Sequence, residues 1–150
     1  MSILNQSSAP KIIDRLNNLK PDTQPQWGKM NAAEMLLHCR KAIEIPLGKH
    51  QLNPNFFFKL FFGKWIKSAV VGDKPFQKDS PTSPDFLVND KGLDFEKEKQ
   101  ALLEDIHTFV HTTDDILDQR PHGLFGSMTA HEWRKGQWKH LDHHWRQFGV

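Results

Sequence analysis

The chain ends on Thr129-Ala-His-Glu132-Trp133-Arg-Lys135-Gly-Gln137-Trp-Lys139-His140-Leu-Asp142-His143-His144-Trp-Arg146-Gln147-Phe148-Gly-Val150, and this stretch decides how the rest is read. Thr129 followed by Glu132 is a capping-box pattern, so a helix begins there. At about 100° per residue, Trp133, Gln137, His140, His144 and Phe148 fall on one stripe, with Gln147 at its edge. Lys135, Lys139, Asp142 and Arg146 fall on the opposite side. The stripe predicted to face the core therefore carries two histidines one turn apart. An apolar stripe would build a bundle at lower cost, because buried imidazoles must find partners. Histidines at i and i+4 can direct two ring nitrogens at one metal ion. His143 follows His140 by three residues and offers another pairing, but it lies about 100° around the helix from His144, toward the flank.

Upstream, Asp94 is read as the cap of a long helix reaching Asp118, with Leu102, Leu103, Ile106, Phe109, Val110, Ile116 and Leu117 on its apolar stripe. His107 and His111 form a second i, i+4 pair on the solvent side of that stripe. They are the competitors for any metal. Further back, Asn31 with Glu34 predicts a second capping box and a helix from Ala32 to Ile45, ended by Pro46 and Gly48. His38 sits at the edge of its apolar face, as either a boundary histidine bonded to its neighbours or a side chain aimed into a cavity. Cys39 points about 100° away and reads as a small core residue.

The segment Phe56–Val71, with its run of phenylalanines, is too short and too rich in lysine for a membrane span. A basic amphipathic helix can lie on a membrane; this one is read instead as a core helix of a bundle, with a dimer face as a further reading. Ala9 to Leu19 predicts a short helix through Ile12, Ile13, Leu16 and Leu19, and residues 1–8 a loose start. Gly72 to Gly92, rich in Pro, Lys, Asp and Ser, is long for a loop inside one domain. It is read as a crossover walling one side of a pocket, anchored by Phe76, Phe86, Leu87 and Val88.

Composition narrows the class. The 150 residues carry a formal net charge of +2 and suit one domain with one core. Near-balanced charge without a basic stripe argues against a nucleic-acid partner, and no membrane partner is expected. The lone cysteine, Cys39, excludes an intrachain disulfide and fits a reducing cytoplasm. Nine histidines is a high count for this length. The predicted architecture is all-α: a four-helix bundle with a long crossover loop and a short extra N-terminal helix. In such a bundle His38, His140 and His144 would form a three-histidine site with a position left for water or substrate, the catalytic rather than the structural pattern.

Trp27-Gly-Lys-Met30 before Glu34-Met-Leu-Leu-His38, the Thr82-Ser-Pro84 loop, and the ending His140-Leu-Asp-His143-His144-Trp-Arg-Gln147-Phe-Gly stand together in this order. In these three pieces the chain resembles the DinB-like (YfiT-like) superfamily of metal-dependent bundles, and within it a small branch known only as a domain of unknown function. The likeness runs from Leu16 to the C-terminus. It implies a divalent metal, commonly zinc or nickel, held by His38, His140 and His144. It also implies a small-molecule substrate and, from characterised relatives, transfer or isomerisation chemistry using a low-molecular-weight thiol such as bacillithiol, mycothiol or glutathione. Two other readings stand beside it. One is a metal-dependent hydrolase with Glu34 as base, although the capping box already explains Glu34. The other is a non-catalytic, stress-associated dimer. Gln137 and Gln147 are each either supports of the histidines or packing residues.

Overall fold

Side-chain caps set the helix starts. The Asn31 and Thr129 side chains each accept the N–H of the glutamate three residues on, while Glu34 and Glu132 reach back to the cap N–H, completing both capping boxes. Asp94 accepts the Lys97 N–H. The helices of this computed structural model, which describes residues 3–80 and 84–150, are α1 (Ala9–Asn18), α2 (Ala32–Glu44), α3 (Phe56–Val71), α4 (Phe95–His111), α5 (Asp114–Asp118) and α6 (Ala130–Gln147). A single 3-10 turn, Pro84–Phe86, lies between α3 and α4. The protein is all-α: among the described residues no strand forms, and an isolated bridge joins His122 to Gly126. None of its described helices is long and apolar enough to cross a membrane. Thr82 and Ser83 lie outside the described residues.

One contiguous core joins the elements. Met35, Leu36, Cys39 and Ile43 of α2 bury against Leu102, Ile106 and Phe109 of α4, with Leu141 and Trp145 of α6 in the same cluster. Trp145 is fully buried, and its indole N–H donates to the Ile12 carbonyl at 2.9 Å, which ties α6 to α1 without leaving a polar atom unpaired. Within the start expected to be loose, the described residues are held at Leu4, which is fully buried and donates its N–H to the Arg134 carbonyl; Met1 and Ser2 lie outside the described residues.

Three further expectations are corrected. The helix predicted to run from Asp94 to Asp118 breaks after His111. Thr112 and Thr113 are extended, and α5 restarts at Asp114. The buried Arg134 explains the break, since its guanidinium donates to the Thr112 carbonyl and to Asp114, fixing the backbone outside the helical ladder. Lys139, placed on the solvent side of α6, is buried, with Nζ donating to the carbonyls of Ala69 and Gly72 at the end of α3. The third correction concerns α3 itself. It covers the polar side of α6 instead of entering the core, and its one buried residue is Gly63. Seven of its large apolar side chains, Phe56, Phe57, Phe58, Leu60, Phe61, Phe62 and Trp65, are exposed.

Candidate metal centre

The capping boxes that start α2 and α6 fix which residues face each other where the helices cross. His38 lies in the middle of α2, and His140 and His144 lie one turn apart near the end of α6. The structure brings all three together. Ring centroids are 4.9 Å apart for His38 and His140, 4.7 Å for His38 and His144, and 4.7 Å for His140 and His144. One ring nitrogen from each lies within 4.8 Å of the others, so the cluster can hold a metal ion.

Hydrogen bonds at the outer nitrogens decide which nitrogens face inward. The Trp27 carbonyl only accepts, so Gln147 donates to it through Nε2 at 2.8 Å. Gln147 Oε1 therefore accepts, at 2.8 Å, and His144 Nδ1 carries the proton. His144 Nε2 is left as a free lone pair. His38 repeats the logic: Nδ1 donates to the Phe86 carbonyl at 3.1 Å, and the lone pair of Nε2 faces His140 Nε2 at 3.0 Å. Fixing the tautomer by a bond at the far nitrogen is the way metal-ligating imidazoles are oriented. His140 lacks such a bond. Its Nδ1 is buried with no partner among the described residues, although the residue keeps part of its surface exposed. Three ring nitrogens within 4.8 Å of one another, two of them with the tautomer fixed from behind, fit a cation at the centre of the cluster.

Electrostatics agree. Burial holds His38 below the usual imidazole range, opposed in part by the hydrogen bond to the Phe86 carbonyl and assisted by the charge of Lys41. Burial, with His38 next, lowers His144 to about 3. His140 is driven well below its ordinary value by burial and then by His144 and His38. All three rings are thus neutral at neutral pH, the form that ligates metal.

Other candidates fall outside the cluster. His107 and His111 are exposed, with ring centroids 4.3 Å apart, and His111 Nδ1 donates to the His107 carbonyl. Cys39 is buried in apolar surroundings that push its thiol pKa up, so it stays protonated. Glu34 spends its carboxylate on the Asn31 N–H. Gln137 donates to the Ala42 carbonyl and touches no histidine nitrogen. Trp133 is a core residue whose indole N–H donates to the Arg120 carbonyl. His143 stands beside the cluster, its ring 5.1 Å from that of His144 and edge-on to Trp27 and Phe76. Those two aromatics, with Lys78, Trp138 and Arg146, help line a cleft of about 480 Å³ on the other side of His143. The support from Phe86 was not legible in the sequence, because a backbone carbonyl contributed from 48 positions away leaves no side-chain signature. Gln147 could be placed only at the edge of the stripe; the decisive bond to Trp27 spans 120 positions.

Fold and cluster together define an all-helical protein with a three-histidine site able to hold a metal ion. Residues 3–149 match the model of a family described as a protein of unknown function (DUF1569), and the chain belongs to that family. No curated protein and no solved structure matches it.

Proposed function

We propose that the chain is a DinB-like, divalent-metal-dependent enzyme that activates a low-molecular-weight thiol for transfer to an electrophile. In this reading α1, α2, α4 and α6, which share the core, are the four helices of the bundle, and the crossover runs from α2 to α4 with α3 lying along it, outside the core. His38, His140 and His144 hold zinc or nickel. The observation that carries the reading is the convergence of three neutral imidazoles, two of them oriented from behind, with no fourth ligand beside them among the described residues. Three protein ligands are the number found where a metal keeps a position for substrate. When bound, such an ion lowers the pKa of a sulfur or oxygen donor beside it, so thiolate is available near neutral pH.

The chain's own residues do the rest. Phe86 and Gln147 keep the His38 and His144 rings from turning. His143, whose ring lies 5.1 Å from that of His144, also lines the cleft and would meet a substrate entering there, among aromatic residues, the cations Lys78, Lys139 and Arg146, and the carboxylates of Asp73 and Asp142. In the transfer the S–H proton leaves to solvent, the sulfur forms a bond to the electrophilic carbon, and the leaving group departs with its bonding pair. Metal-dependent hydrolysis is less well supported, because Glu34, its candidate base, is committed to the capping box.

Metal analysis of untagged protein tests the reading. About one zinc or nickel per chain is expected in wild type and none in His140→Ala/His144→Ala, together with metal-dependent loss of an electrophile that requires added thiol. Metal-free wild type with no affinity on titration would sink the proposal. Metal retained by the double variant would move the site to His107 and His111.

A further inference from the structure

The exposed half of α3 is unlike the rest of the surface. Phe61 and Trp65 keep 71% and 72% of their surface open to solvent, and Phe57 keeps 66%. At about 100° per residue, Phe57, Phe58, Phe61, Phe62 and Trp65 form a continuous arc of roughly 140°. Gly63, on the opposite side, sits against the Leu124 carbonyl, where even a Cβ would come within 2.6 Å. The helix is therefore fixed to the body by its glycine side and presents its aromatic side outward. Phe58, Phe61, Phe62 and Trp65 follow the i, i+3, i+4, i+7 spacing with which one helix packs on another.

We infer that this outward aromatic face of α3 is a homodimer interface, on which a second copy of the chain lays its own α3 about a two-fold axis. Area favours this partner. At the exposures observed, the five side chains of the arc leave on the order of 600 Å² per chain in water, at the upper end of what a monomer exposes in one patch. That reaches the roughly 600 Å² per partner with which stable protein–protein interfaces begin. A two-fold pairing is isologous, so the patch needs only itself as complement.

Charge disfavours a lipid surface. An interfacial helix sets a strongly charged face against its apolar one, whereas the side of α3 away from the aromatics is occupied by the protein body. Lys67 is already bonded to Glu132 and to the Ser127 carbonyl. Lys59 and Lys64 remain exposed, and two lysines add only about 1 kcal/mol each at an anionic membrane.

Sedimentation velocity and light scattering on the full chain, from low to high micromolar concentration, test the inference. Wild type is expected at twice the mass of one chain. Phe61→Glu/Trp65→Glu is expected at the mass of one chain with an unchanged helical circular-dichroism signal, its dimer constant weakened by at least roughly 30-fold. If that variant fails to fold, Phe61→Ser, which adds no charge, makes the same comparison. Wild type that stays monomeric at high micromolar concentration overturns the inference. So does a dimer that persists in the folded variants. Monomeric wild type that co-sediments with phosphatidylglycerol vesicles also overturns it, and assigns the face to lipid.

Discussion

Replacing Gln147 by leucine removes the acceptor for the His144 Nδ1 proton and the donor for the Trp27 carbonyl in one step. The His144 ring then loses the bond that fixes its tautomer, and a buried N–H is left without a partner. Removal of such an outer bond typically weakens metal binding roughly 10–100-fold. A chelator-competition titration of Gln147→Leu should show a loss of that size. Gln147→Glu keeps an oxygen facing His144 but sets an acceptor against the Trp27 carbonyl in place of the donor, so only the leucine variant is read for the His144 bond. Equal affinity in the leucine variant and wild type would show that the Gln147 bond does not orient the ligand. His140 and His144 were legible at this scale as an i, i+4 pair on the stripe predicted to face the core, whereas His38, alone at the edge of its apolar face, joined them only through the bundle architecture and the family resemblance. The atoms that hold them were not: the Phe86 and Trp27 carbonyls are backbone groups, identical in every residue, and only the folded chain brings them near the rings.

At the scale of elements, the joint between α3 and the loop that follows α5 makes a sharp prediction. In an exposed helix, Gly→Ala stabilises by about 1 kcal/mol through backbone entropy. At Gly63 the added methyl would meet the Leu124 carbonyl at 2.6 Å, and a backbone oxygen cannot swing aside as a side chain can. The sign should reverse. Gly63→Ala is expected to lose about 1–3 kcal/mol in urea unfolding, and a gain would mean that α3 does not sit on this loop. The same joint shows where periodicity stops being informative. Caps and apolar spacing located the starts of α2, α4 and α6, since those signals are local. The aromatic run in α3 looks the same in a sequence whether it enters a core or faces outward, and one small residue, Gly63, decides which side touches the body. The break after His111 was illegible for a related reason: it is imposed by Arg134, which is 22 positions from Thr112 and 20 from Asp114.

For the whole molecule, the candidate site is a cross-link between distant parts of the chain. His38 and His140 are separated by 102 positions, and Phe86 brings in the segment between α3 and α4. Unfolding disperses these groups, so an ion bound there binds the native state and not the unfolded one. At a free ion concentration of 100 times Kd the native state gains about 2.7 kcal/mol, which for a chain of this length raises Tm by roughly 5–10 °C. The pH dependence follows from the same groups. Burial lowers His144 from 6.5 to about 3, so the folded protein keeps it neutral while the unfolded chain takes up a proton below 6.5. Its contribution to stability is therefore complete above pH 6.5 and is lost as pH falls from 6.5 toward 3, with His38 and His140 shifted in the same direction. Added zinc or nickel should accordingly raise Tm near neutrality and keep raising it below pH 6.5, where the folded imidazoles stay neutral, on a baseline Tm that itself falls as the unfolded histidines take up protons. His140→Ala/His144→Ala should show no metal-dependent shift, while any shift arising from the exposed His107 and His111 would survive in it. Thermal scans of both proteins, with and without metal and across that pH range, separate a cross-link through the core from adventitious binding on α4.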